Sequence, residues 1–178
     1  MRVNNRPPLA GDERSQIVGW LDHQRDLVRM KCEGLKESDA HRAVLPSSPL
    51  MTMAGVVAHL RWVEYSWFHL NVLAVPDTGQ TPWTEGGHVD AEMFVDDVPL
   101  QQLLDEYYEE CARSNEIVAG LSLDDLEKRP PKEEAASVRW ILLHMIEETS
   151  RHLGHLDAIR ELLDGTTSYE AAEETASI

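Results

Sequence analysis

The sequence predicts an all-α protein, a four-helix bundle of up-down-down-up order with a long crossover between its second and third helices. Apolar residues recur at three- and four-residue steps along four separate stretches, the spacing of helices with one buried face. Proline and glycine punctuate the chain where those helices should stop. The stretch from Val75 to Val98, with Pro82, Gly86 and Gly87, shows no helical pattern and is too long for a simple turn. A segment of that length can cross the whole bundle, which leaves the second and third helices parallel.

The first helix is expected from about Asp12 to Leu35, with Ile17, Leu21, Val28 and Leu35 on its inner face and Trp20 and Leu27 beside them. Pro46, Ser47, Ser48 and Pro49 then break the chain. Thr52 suits the N-cap of the second helix, because a hydroxyl there accepts from a first-turn N–H that has no other partner. The seam of this helix reads Met53, Val56, Leu60, Val63, Trp67, Leu70 and Ala74, and Pro76 closes it. Pro99 opens the third helix, where its missing N–H costs nothing. There the seam reads Leu100, Leu104, Tyr107, Cys111, Ser114, Val118 and Leu121. The fourth helix follows Pro130 and Pro131, with Ser137 as N-cap and Gly165 just past its end. Val138, Leu142, Met145, Thr149, His152, Leu156, Ile159 and Leu163 form its seam. Residues 1–178 are therefore expected to form a single domain, with a core over about 12–166 and a tail over 167–178.

Of the 178 residues, 42% are hydrophobic and 27% charged, and the mean hydropathy is -0.37. That balance supports a packed core without disulfide staples. Acidic residues number 32 against 16 basic ones, a formal net charge of -16. Affinity for nucleic acid rests largely on Lys and Arg displacing counterions from phosphate, and no basic cluster offsets the deficit. DNA, RNA and anionic membranes are thus excluded as expected partners. No apolar run approaches the roughly 20 residues of a membrane helix. The start, Met1 to Pro8, has no apolar signal core, so the cytoplasm is the expected location. Cys32 and Cys111 are too few for a disulfide framework and are expected to be reduced thiols.

Chemistry enters through polar residues on the inner faces. His152 falls within the seam of the fourth helix, and Glu148 lies one turn earlier at the edge of the same face. Residues four apart on a helix are neighbours, so this pair could grip one ion. His59 lies within the apolar arc that Val56, Leu60, Val63 and Trp67 form on the second helix. Two histidines and one carboxylate, with coordination positions left open, make a catalytic zinc set. The alternative is a Glu–His ion pair, since a buried charge is costly unless it is paired or ligates a metal. His144 and His152 stand about 12 Å apart along the helix axis and cannot share one ion. His155, His144 and Trp62 are candidates for supporting the ligands or lining the pocket, against a plainer reading as solvated or packing side chains. Trp67 and Trp140 are expected to pack in the bundle. His23, His41, His69 and His88 have no comparable partners and are expected on the surface or in loops.

The stretch Thr52-Met-Ala-Gly-Val-Val-Ala-His-Leu-Arg-Trp-Val-Glu, together with Ser137-Val-Arg-Trp-Ile-Leu-Leu-His-Met-Ile-Glu-Glu-Thr-Ser-Arg-His-Leu-Gly-His, resembles the DinB-like superfamily. More narrowly it is similar to the actinobacterial mini-circle protein branch. The likeness spans residues from about 12 to 166. It implies a four-helix bundle of up-down-down-up order. It also implies a divalent metal held by a histidine of the second helix and two residues of the fourth spaced by four, which fall here on His59, Glu148 and His152. Many relatives carry histidine where this chain has Glu148, and the His/Glu/His set resembles that of the mycothiol-dependent maleylpyruvate isomerase group. Characterised relatives use the metal to bind and activate a low-molecular-weight thiol, because a coordinated thiol is deprotonated and the thiolate is the nucleophile.

The resemblance therefore implies a divalent-metal-dependent enzyme, an S-transferase or isomerase that uses a mycothiol-type thiol. Zn²⁺ is the first choice of ion, with Ni, Fe or Mn as the others. A small-molecule thiol and an electrophile are the implied partners, and the crossover around Trp83 to Phe94 is expected to cover the site. One rival is a non-catalytic metal-binding or stress-related bundle protein. Another is a plain bundle acting by association, with Glu148 and His152 merely paired. A homodimer is compatible with all three.

Overall fold

The computed structural model describes residues 6–83, 85–130 and 134–167. In chain order the elements are α1 (Glu13–Cys32), the single turn α2 (Glu37–Ala40), α3 (Met53–Tyr65), a π-helical segment (Ser66–Val72), a 3-10 turn (Ala91–Met93), α4 (Leu100–Ala119) and α5 (Val138–Asp164). Helices begin where the sequence offers a cap. Asp12 accepts from the Ser15 N–H at 2.9 Å, Thr52 from Gly55 at 2.9 Å and Ser137 from Trp140 at 3.2 Å. Pro99 precedes α4, and the Glu37 carboxylate accepts the first-turn N–H of Leu100 at 3.0 Å. Gly165 ends α5 at φ 77°, a left-handed conformation that glycine adopts without steric cost. Of the tail expected over 167–178, residues 168–178 lie outside the described residues.

Two apolar clusters fill the interior. One joins the second half of α1 (Leu27, Val28, Cys32) to the first halves of α3 and α4 and to Leu153, Leu156 and Ile159 near the end of α5. The other joins Leu21, Phe68, Val72 and Val118 to Val138, Ile141, Leu142 and Met145 at the start of α5. The starts of α3 and α4 thus share one cluster with the ends of α1 and α5. Most of the helix packing is α1 on α5 and α3 on α4, with α3 also touching α5.

The second predicted helix departs from its expected seam. It is α-helical only to Tyr65 and continues as the π-helical segment. A π-helix bonds each residue to the fifth along, so positions four apart stay on one face. The buried series runs Leu60, Glu64, Phe68 and Val72. Val63, Trp67, Leu70 and Ala74, which the periodicity had placed inside, are only half-buried. Glu64 is tolerated there because the buried Arg25 guanidinium meets both its oxygens at 2.8 Å and donates onward to Asp22 and Asn115. Four further expectations are corrected. α1 stops at Cys32, three residues before Leu35. Trp20 and Trp140, expected to pack inside, are 43% and 52% exposed. His23 is buried against the edge of Trp20 rather than solvated, and burial lowers its pKa. His69 is half-buried with Nε2 2.9 Å from Oε1 of the buried Glu110.

Candidate metal centre

α3 and α5 pack against each other, and their facing turns bring His59 to Glu148 and His152. Nε2 of His59 stands 3.3 Å from Oε1 of Glu148, and Nε2 of His152 stands 3.2 Å from the same oxygen. The three donor atoms all lie within 4.8 Å of one another. Ligands about 2.0–2.1 Å from a tetrahedral zinc stand about 3.4 Å apart, so two edges of this triangle already have the spacing of a coordination shell. The side chains are between 12% and 21% exposed, shielded from bulk water yet within reach of a small ligand.

The crossover contributes a second layer. Glu92, in the middle of the 3-10 turn, places Oε1 2.8 Å from Nδ1 of His59, and its Oε2 accepts from the Trp83 indole N–H at 2.8 Å. By accepting from Nδ1, Glu92 orients the His59 ring and turns Nε2 toward Glu148, the way a supporting carboxylate positions a histidine ligand. Burial disfavours the His59 imidazolium, but hydrogen bonds to Glu148 and Glu92 outweigh it and hold the pKa above its ordinary value. Hydrogen bonds from His152 and then His59 hold the Glu148 carboxyl well below the usual carboxylate range. Nδ1 of His152 is buried without a hydrogen-bond partner among the described residues.

The remaining predicted residues divide. His155 sits edge-on to His152 at 5.3 Å, and burial followed by the neighbouring His152 charge keeps its pKa low. Trp62 lies edge-on to Trp83 at 5.8 Å, so it abuts the crossover. His144 is one turn before Glu148 but packs on Trp140 and Trp67 instead, in a separate cavity. A second cavity, between α1 and α4, is also away from the triad. The spacing argument missed Glu92 and Trp83, because an irregular loop has no period to mark which side chains turn inward.

Both cysteines are buried and free. Burial pushes the Cys32 thiol up to about 12 and the Cys111 thiol well above its usual range. Neither is a thiolate near neutral pH, so neither is a nucleophile. No curated protein matches this chain. The model of the mycothiol-S-transferases, a DinB-like family, matches residues 16–165, from the first turns of α1 to the glycine that ends α5, and the chain belongs to that family.

Proposed function

We propose that this protein is a divalent-metal-dependent S-transferase that uses a low-molecular-weight thiol of the mycothiol type. In this reading His59, Glu148 and His152 hold one ion, Zn²⁺ by preference. The observation that supports it best is the convergence of two imidazole nitrogens and one carboxylate oxygen on a single partly exposed point between α3 and α5. A metal bound there would supply one thing, the capacity to keep the sulfur of a bound thiol as thiolate.

The chain's own residues prepare that point. Glu92 fixes the ring of His59, and Trp83 fixes Glu92, so the ligand is oriented before anything binds. Glu148 stays ionised and neutral His155 sits beside His152. With Cys32 and Cys111 held as buried thiols, the attacking sulfur comes from a cosubstrate, and the partner it attacks is a small electrophile. The cytoplasm, where such thiols are kept reduced, is the proposed location.

Elemental analysis of purified, untagged protein beside its His152→Ala variant tests this directly. About one divalent ion per chain is expected, lost in the variant together with thiol-dependent consumption of an electrophile. No metal in either protein, after incubation with zinc, nickel or manganese, would sink the proposal. Metal without any thiol-dependent turnover would favour a non-catalytic metal-binding protein.

A further inference from the structure

The crossover meets α3 in a corner of aromatic rings next to the candidate metal centre. Trp62 is one turn beyond His59 on α3, and residues three apart on a helix are neighbours. Its ring lies 5.8 Å from that of Trp83 and 5.6 Å from that of Tyr65, at 67° and 84°. Trp83 and His59 stand one carboxylate apart. Glu92 bonds the Trp83 indole with one oxygen and the His59 ring with the other, each at 2.8 Å. Trp62, Tyr65 and Trp83 are all half-buried, so each keeps part of its surface open.

Arg61 adds a charge to this corner. Its guanidinium carbon sits 3.7 Å from the centre of the Trp62 ring, a contact that holds the planar cation in place. Arg25, Arg42, Arg113, Arg139 and Arg160 all take carboxylates of the chain. Arg61 takes none among the described residues, although acidic residues outnumber basic ones 32 to 16. Its Nε is covered by protein, so the outer edge of the half-buried guanidinium is the part it presents. A stacked guanidinium with a free outer edge suits a carboxylate, which it can meet with two parallel N–H groups. Indole surfaces beside it suit a flat apolar ring.

We propose that Arg61, Trp62 and Trp83 seat the electrophile of the transfer reaction, and that this electrophile is an aromatic carboxylate. The proposal rests on the S-transferase reading above. The aromatic ring lies against Trp62 and Trp83, and the carboxylate accepts from the outer N–H groups of Arg61. A net charge of -16 disfavours the approach of any anion, and a fixed cation beside the site offsets that repulsion locally. With a halomethyl compound, a C–S bond forms as the C–halogen bond breaks. The halide leaves with the bonding electrons, and the thiol proton passes to solvent.

Titration calorimetry of the chelator-treated full chain with 2-naphthoate tests the seat in the absence of an ion. The neutral counterpart is 2-naphthalenemethanol, and the non-aromatic anion is cyclohexanecarboxylate. Saturable binding of 2-naphthoate is expected, with the alcohol weaker by about tenfold or more, the loss that one charge-assisted hydrogen bond predicts. Cyclohexanecarboxylate should also bind more weakly. Arg61→Gln should lower naphthoate to the affinity of the alcohol and leave the alcohol unchanged, a pattern that a packing role for Arg61 would not produce. His152→Ala should bind naphthoate as the wild type does, which separates failure here from failure of the metal reading. In the metal-loaded enzyme, kcat/KM for 4-(bromomethyl)benzoate should exceed that for 4-(bromomethyl)benzyl alcohol by a similar factor, and Arg61→Gln should erase the preference. No saturable binding, equal affinity for naphthoate and the alcohol, or undiminished naphthoate affinity in a folded Arg61→Gln variant would overturn the proposal. Equal kcat/KM for the two bromomethyl compounds, or binding in an enzyme without turnover, would overturn the assignment to the electrophile.

Discussion

Glu92 is the residue whose removal best separates position from presence at the candidate metal centre. It touches no proposed open coordination position, yet it holds Nδ1 of His59 at 2.8 Å. Replacing such a supporting carboxylate weakens metal binding by roughly 10–100-fold in comparable sites. Glu92→Gln should therefore lower metal affinity by that order in a chelator competition while leaving the helical circular dichroism unchanged. The triad also sets a pH signature in metal-free protein. His59 has a raised pKa, so its contribution to stability is full below the ordinary 6.5 and is lost as pH rises through the raised value. Glu148 has a lowered pKa, so its contribution is full above the ordinary 4.5 and is lost on acidification. The stability gap between metal-free wild type and Glu148→Gln should thus be widest between pH 4.5 and 6.5. A gap that does not vary from pH 4 to pH 9 would count against this pairing. Cys32 and Cys111 should resist a thiol-titrating reagent at pH 8 until denaturant is added, because burial holds both protonated and covered.

At the scale of elements, the Arg25–Glu64 pair ties α1 to α3 at the point where α3 becomes π-helical. Both members are almost fully buried, at 2% and 1% exposure, so neither can lose the other and be rescued by water. Removing one partner of a buried pair costs about 3–5 kcal/mol, and Glu64→Ala should show a loss of that order in urea unfolding. A milder loss in Glu64→Ala than in a surface pair such as Arg113–Glu109 would contradict this account. Helix ends are secured by long-range guanidinium contacts. Arg160 of α5 donates to the carbonyls of Lys31 and Glu33 at the end of α1, each at 2.9 Å. Arg14 of α1 does the same for Val118 and Leu121 at the end of α4, at 3.1 and 2.6 Å. These contacts add donors at helix ends, where the regular intrahelical ladder runs out.

For the molecule as a whole, the two apolar clusters span all four long helices without drawing on His59, Glu148 or His152. Chelation should consequently leave a folded, helical protein. Its melting temperature should rise with added metal in proportion to the logarithm of free metal over Kd, the mass-action form for a ligand bound only by the native state. Loss of helicity on chelation alone would show that the ion is structural. The excess of acidic residues, 32 against 16, adds self-repulsion that salt should screen.

The sequence by itself determined the helical class, the caps at Thr52 and Ser137, the stop at Gly165 and the pairing of Glu148 with His152, because each depends on spacing within one helix. Periodicity also drew the seam of α4 closely, since that helix has the plainest division of polar and apolar faces. What lay beyond it were residues whose position depends on a partner distant in the chain. Arg25, Glu64 and Glu110 look like solvated charges in sequence, and only the packing of α1, α3 and α4 makes their burial affordable. The slip of the buried face from Val63 and Trp67 to Glu64 and Phe68 begins within α3 and carries on through a π-helix that no local pattern announces. Glu92 and Trp83 reach His59 from an aperiodic crossover, so tertiary structure alone decided which loop side chains complete the site.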